Sequence, residues 1–377
     1  MTTTALLEKL FDENSFCELQ KHEESSVIAG FGKIAGSQAY AYIQDISVKS
    51  GAVNKNTAAK MKKIYADAVK FGAPLVAVFD SKGGEIGEGI ELIEAYTDII
   101  ADCARLSGVV PLISVVTGQC SGLNAALCRM SDFVIATEEA EIFFTPPFLG
   151  GKKEINTADI TVKTAEEAVL KARELLSLLP PNNLEASSCA DGVEIELGAG
   201  TKLETLSNSA AGIVTLEEKL NAADTARIAR FVSFCDNFSL PVITIINSAG
   251  FEMDVSSRDT ARLAQVYASA TTPKITLITG NASGAAFMLT GGFGDFTIAY
   301  ENAVISPVPV KTAAVFLEMS EEDYIKEHAG VQNALKKGYI DLVITPEEKQ
   351  TALVTALEAV RNKRVASPKR KHINFIF

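Results

Sequence analysis

Histidine is scarce in this 377-residue chain, with three residues at positions 22, 328 and 372, outside its repeated apolar segments. None stands in a pattern that would pair it with a nucleophile, so histidine acid–base catalysis is not expected. Six cysteines (17, 103, 120, 128, 189 and 235) show no CxxC or CxH spacing. That excludes a zinc site and a disulfide framework, and no metal is expected. Four of them lie in helix-like or strand-flanking apolar segments, where a thiol serves as a small buried hydrophobe. Positive charge is also short: 35 Lys and Arg stand against 47 Asp and Glu, giving a net charge of −12 and a pI near 5.0. Nucleic acid, whose phosphates require a basic face, is excluded as a partner. Any anionic ligand must then be held by local groups. No apolar run approaches the ~20 residues that cross a bilayer, and the opening MTTTALLEKLFDEN carries acids where a secretory signal carries positive charge. A cytoplasmic protein is expected.

What the chain has is apolar content, 47% with a mean hydropathy of +0.17, enough for two substantial cores. It also has a repeat. GAPLVAVFDSKGGEI (72–86) matches SLPVITIINSAGFEM (239–253), with Pro74 and Pro241 each opening a strand. Upstream of the first strand, Met61, Ile64, Tyr65 and Ala68 recur at the spacing of one helical face. Helices follow around 90–106 and 258–270, then the strands PLISVV and KITLIT, glycine loops, and short helices beginning near 123 and 285. SDFVIATEEAEI (131–142) then answers GDFTIAYENAVI (294–305). Strands alternating with helices predict an α/β protein with a largely parallel sheet, and the repetition predicts two domains of one fold.

Parallel sheets place ligands at the carboxyl ends of their strands, where both glycine loops fall. A helix N-terminus there offers unpaired backbone amides and the positive end of a dipole. Amides of Gly122 and Leu123, or of Gly284 and Ala285, are therefore candidates to hold a developing oxyanion. The plainer alternative is a strand-to-helix turn that uses glycine only for its backbone angles. Duplication at matching positions favours the first reading.

Together, LLEKLFDENSFCEL (6–19), DSKGGEIGEG (80–89), ARELLSLLPPNNLE (172–185), ARFVSFCDNFSLPVITIINSAGF (229–251) and KKGYIDLVITPEEKQTAL (336–353) carry a resemblance. The chain resembles the carboxyltransferase subunits of biotin-dependent acyl-CoA carboxylases and decarboxylases, of the propionyl-CoA carboxylase beta type. The resemblance implies two tandem crotonase-like (ClpP/crotonase) domains related by internal duplication, here residues 1–190 on the acyl-CoA side and 191–377 on the biotin side. It implies carboxyl transfer between carrier-bound biotin and the α-carbon of a coenzyme A thioester, with two transient oxyanions and no side-chain base. Gly122 and Leu123 would hold the thioester oxygen, with Gly83, Gly84 and Gly118 on the acyl-CoA; Gly284 and Ala285 would hold the ureido oxygen, with Gly250, Phe251 and Gly280 on biotin. The first segment is similar to the family's opening helix and the third to its inter-domain helix. The implied partners are a biotin carboxyl carrier protein, with a biotin carboxylase or a membrane decarboxylase subunit, and further copies of the chain, as a dimer or trimer of dimers.

Several features depart from that family. Its longer loop after the counterpart of FFTPPFLGG (143–151) is missing, Ala249 replaces the proline of its PGF turn, and Glu85 stands at the arginine of its DSGGAR. Two other readings follow from the residues. Glu85 and Glu88 could act as acid and base in a crotonase-type hydratase, isomerase or hydrolase. A degenerate scaffold subunit would also fit the shortened loops. Ser283 on its strand-to-helix turn resembles the nucleophile setting of a related Ser-Lys peptidase family. Met61-Lys62 superficially matches a biotinylation site but lies at helical spacing, so biotin must arrive on another protein. Lys369, Arg370 and Lys371 are candidate contacts for coenzyme A phosphates.

Overall fold

The structure, a computed structural model, describes residues 2–22, 25–146, 149–154, 158–189, 191–248, 250–365 and 374. Ala249, the three terminal basic residues and His372 lie outside the described residues. The chain divides into two compact units, Met1–Cys189 and Ala190–Phe377.

In the first unit, helix α1 (Thr3–Leu10) precedes β1 (Cys17–Glu18), β2 (Val27–Ile34) and β3 (Ser37–Gln44). Then come α2 (Lys55–Phe71), β4 (Leu75–Ser81), α3 (Ile90–Leu106), β5 (Leu112–Ser121), α4 (Leu123–Arg129), β6 (Phe133–Thr137), β7 (Glu141–Phe143), β8 (Ile160–Val162) and α5 (Ala165–Leu178). The sheet runs β1-β2-β3-β4-β5-β6-β8, with β7 extending the ladder of β5. From β3 onward the pairing is parallel; β1, β2 and β3 are antiparallel.

The second unit repeats the plan with β9 (Glu194–Gly198), β10 (Thr201–Leu206), β11 (Ser209–Leu216), α6 (Ala222–Asn237), β12 (Val242–Ser248) and α7 (Ser257–Ser269). It continues through β13 (Lys274–Ser283), α8 (Gly284–Met288), β14 (Phe296–Tyr300), β15 (Val304–Ser306), α9 (Val310–Leu317) and α10 (Glu321–Tyr324). A widened π-turn (Ile325–Ala329), α11 (Val331–Lys336), β16 (Leu342–Ile344) and α12 (Lys349–Val360) close it. Its sheet runs β9-β10-β11-β12-β13-β14-β16, and β15 pairs β13 as β7 pairs β5.

The antiparallel entry into each sheet is absent from the sequence reading. Each hairpin turns on two left-handed residues: Ala35-Gly36, Ala199-Gly200 and Ser207-Asn208. Such turns match the right-handed twist of the strands they join. Helix boundaries also shift. The opening helix ends at Leu10, where the Leu10 carbonyl accepts from the Arg173 guanidinium and Asp12 pairs with the same side chain. The segment expected as an inter-domain helix belongs to α5. That helix starts under a reciprocal Thr164–Glu167 cap, packs on α1 and β5, and stops before Pro180.

The first core forms around Tyr42, Met61, Ile64, Tyr65, Phe79 and Ile99. The helical face read at 61, 64, 65 and 68 is the buried face of α2. Lys62 lies on the same helix, ion-paired with Asp98, away from any strand hairpin. Cys103, Cys120, Cys128 and Cys235 are buried free thiols.

Candidate functional site

The carboxyl end of each sheet is built to one pattern. In the first unit the register of β4 on β5 slips between Phe79 and Ser81. Asp80 Oδ1 fills the slip by accepting the Gln119 N–H at 3.0 Å. The approach is so close that a Cβ on Gly118 would stand 2.3 Å from that oxygen. Ser81 Oγ accepts the Gly83 N–H at 3.1 Å and the Asn124 amide at 2.9 Å, while Ser121 Oγ donates to the Ser81 carbonyl at 3.2 Å. Val53 bridges the loop, donating to the Gly83 carbonyl at 2.9 Å and accepting from the Glu85 N–H at 2.8 Å.

In the second unit β12 slips on β13 between Ile246 and Ser248. Asn247 Oδ1 accepts the Asn281 N–H at 2.9 Å, and a Cβ on Gly280 would stand 2.4 Å from it. Ser248 Oγ accepts the Gly250 N–H at 3.1 Å. Leu220 takes the place of Val53, donating to Gly250 at 3.1 Å and accepting from Glu252 at 2.8 Å, which pairs it with Phe251 as Val53 pairs with Gly84.

The candidate glycines therefore divide by role. Gly118 and Gly280 admit the Asp80 and Asn247 side chains, and Gly83 and Gly250 close serine-capped turns at φ +116° and +106°. Gly84 packs beneath Leu92 and Tyr96, where a Cβ would come within 2.8 Å of Leu92. Gly122 and Gly284, at φ +65° and +68°, face open space instead. Each leads to an exposed residue, Leu123 or Ala285, in the first turn of a helix, whose amides precede the helix's own hydrogen bonds. One donor expected from the sequence is already engaged, because the Gly122 N–H donates to the Phe143 carbonyl at 3.1 Å and extends the β5–β7 ladder. Leu123 is left as the amide at that mouth, and its direction is set by ψ −134° at Gly122.

The acids of the first loop are committed elsewhere. Glu85 accepts from Asn54 Nδ2 at 2.9 Å and pairs with Lys49 at 3.3 Å; these two contacts hold its carboxyl below the usual range. Glu88 accepts the Lys55 N–H at 2.6 Å. Both carboxylates serve the N-terminus of α2, where the helix dipole favours them. A general acid needs a raised pKa, and Glu85 moves the other way.

Asp80 differs from its counterpart Asn247 in being ionisable. Burial pushes its carboxyl up; the Gln119 N–H opposes this and the charge of Asp45 adds to it. A folded-state pKa above the unfolded value means that ionisation costs stability. The penalty is absent below about pH 4 and grows as pH rises through the folded pKa. Asp80→Asn, which keeps the acceptor oxygen, should raise the thermal midpoint at pH 7 and match wild type by about pH 4. An unchanged difference across thermal melts from pH 3 to 7 would contradict this.

Two parallel-sheet units of one topology, each ending in a strand-slip loop and a short helix, define a tandem crotonase-like protein. The carboxyl transferase domain profile matches residues 4–153 and 205–375, and the chain belongs to that family. The methylmalonyl-CoA decarboxylase subunit alpha of Veillonella parvula is 27% identical over 473 aligned residues, covering 99% of this chain and 92% of the relative. The mitochondrial propionyl-CoA carboxylase beta chain of Rattus norvegicus is 28% identical, covering 95% of this chain and 81% of the relative. Among solved structures, the transcarboxylase 12S hexamer with hydrolysed methylmalonyl-coenzyme A superposes with a TM-score of 0.91 at 26% identity, covering 100% of this chain and 92% of that one.

Proposed function

We propose that this chain is a carboxyltransferase subunit, moving a carboxyl group between carrier-bound biotin and the α-carbon of an acyl-CoA. The supporting observation is the duplicated loop: two matched frameworks, each presenting first-turn helix amides beside a positive-φ glycine that faces open space. The family match and the coenzyme A thioester relatives supply the substrate class. Biotin, when bound, supplies or receives the carboxyl group at a ureido nitrogen. The Leu123 N–H, aimed by Gly122, holds the thioester oxygen as it gains charge when the α-carbon bond to hydrogen or to the carboxyl group breaks. In the second unit Gly284 and Ala285 offer the equivalent cradle to the ureido oxygen. Fixed dipoles of this kind stabilise developing charge without reorganising during the reaction. Gly83, Gly84 and Gly118 shape the acyl-CoA side, and Gly250, Phe251 and Gly280 the biotin side. Either the carboxylase or the decarboxylase direction uses the same groups.

The reading includes a biotin carboxyl carrier protein as partner, with a biotin carboxylase or a membrane decarboxylase subunit. It also includes self-association in which the first unit of one copy faces the second unit of another. Two exposed apolar patches support the latter: Ile86, Ile90 and Ile93 in the first unit, and Val315, Phe316 and Leu317 in the second. Patches of this kind mark interaction surfaces. Among the described residues no helix is long and apolar enough to cross a membrane. We place the protein in the cytoplasm, which cell fractionation checks.

The test supplies malonyl-CoA with and without free biotin and follows loss of carbon dioxide. Biotin-dependent turnover is expected. Biotin-independent hydrolysis or hydration would favour an acid–base crotonase, and no turnover of any acyl-CoA would favour a scaffold.

A further inference from the structure

The second unit carries a solvent-open pocket of about 210 Å³ between α8, β15, the π-turn and α11, with Met288, His328, Lys337 and Tyr339 exposed around it. Its apolar lining includes Phe287, Met288 and Ile305. Its one charged lining residue is the Lys337 ammonium, with the His328 imidazole as a second nitrogen donor and no carboxylate among the described lining residues. In a chain of net charge −12 that local excess is selective. Lys337 makes no ion pair among the described residues. His328 has Glu327 alongside at 3.9 Å, too long for a hydrogen bond.

The imidazole is held by a chain of contacts. Ser306 Oγ and the Tyr324 hydroxyl share a hydrogen bond of 2.8 Å, and the buried Tyr324 ring packs on His328 at 5.5 Å between centroids. Gly330 bridges Val304, and Asn333 Nδ2 donates to the Lys326 carbonyl at 2.9 Å, fixing the π-turn at both ends. Widened turns of this kind recur at functional sites. At about 210 Å³ the pocket falls below the roughly 300–1,000 Å³ of drug-sized ligand sites, a size for a short ligand.

We propose that this cavity binds a carboxylate carried on a short apolar body, with Lys337 and His328 on the carboxylate and the apolar wall on the body. Resting on the function proposed above, this makes the cavity the place where the transferable carboxyl group is recognised. Two molecules present that chemistry: the carboxyl group of a short malonyl-type thioester and the N-carboxylate of biotin. Lys337 and His328 act here as specificity residues, apart from the backbone donors of the loops.

Direct binding is tested with butyrate against its neutral counterpart butyramide, by ligand-observed NMR on the intact protein. Butyrate is expected to bind about tenfold or more tightly, as charge-assisted hydrogen bonds do. Lys337→Met and His328→Gln should each narrow the gap, and Lys337→Arg should restore it. In turnover, Lys337→Met should raise KM about tenfold for one carboxylated substrate with kcat nearly unchanged. Malonyl-CoA responding while acetyl-CoA does not assigns the thioester; N-carboxybiotin methyl ester responding while biotin methyl ester does not assigns biotin. Equal binding of butyrate and butyramide, or variants indistinguishable from wild type, overturns the proposal. Altered butyrate binding with neither KM moved overturns the cavity's part in the reaction. A wild-type protein without carboxyl transfer would refute the function, while the butyrate comparison would still report on the cavity.

Discussion

Gly122→Ala should lower biotin-dependent turnover about 100-fold or more, the loss that follows removal of one oxyanion donor, while the protein stays folded. Space is not the obstacle, since a Cβ at this position meets no atom within 4 Å. Conformation is: φ +65° and ψ −134° lie where side-chain-bearing residues rarely settle, at a cost on the order of 1–3 kcal/mol. Alanine must therefore rotate this peptide. The Gly122 N–H is anchored on Phe143, so the rotation falls on the following plane and turns the Leu123 N–H away. Gly284→Ala, at φ +68°, should impair the biotin-dependent step and leave acyl-CoA binding by calorimetry near wild type. Circular dichroism and the thermal midpoint control for unfolding. Two folded variants with full activity would make both glycines turn residues and nothing more.

The second large effect concerns assembly. Phe316 is 82% exposed at the end of α9, with Val315 at 73% beside it; Ile86 and Ile90 of the first unit are 87% and 80% exposed. If these surfaces close on one another between copies, a buried phenylalanine at the centre is worth about 2–4 kcal/mol. Phe316→Asp should then weaken self-association by roughly 30-fold to 1,000-fold, since every 1.4 kcal/mol is a factor of ten. Light scattering at micromolar concentration should show monomers, and turnover should fall with assembly. Ile90→Asp should do the same from the other side. A wild-type monomer with full activity would remove this part of the proposal.

The pairing of the two glycine loops was legible in the sequence because the duplication is written in strand order and apolar runs, which set hydrogen-bonding partners locally. Pro74 and Pro241 stand immediately before β4 and β12, and the short helices start within a residue of the expected positions. Family membership followed from the same ordered segments. The reach of Glu85 and Glu88 was not legible: they are neighbours in a glycine-rich loop, but their partners Asn54 and Lys55 lie more than thirty residues earlier, across a chain reversal. The antiparallel strands were missed because Ala35-Gly36 and Ser207-Asn208 are weaker turn signals than the Asn-Gly pair that marks such hairpins most strongly.

By itself, then, the sequence determined two α/β units, the strand-end position of both glycine loops and the scarcity of histidine. Tertiary structure decided which backbone groups are free. Gly122 and Leu123 are equivalent donors on paper; pairing of β5 with β7 engages one and leaves the other at the helix mouth. Gly118 and Gly280 look like ligand-facing glycines until Asp80 and Asn247 fold against them across the slipped strands. A hydrogen bond between distant segments consumes a donor that local sequence can only offer, and strand register is fixed by the whole sheet.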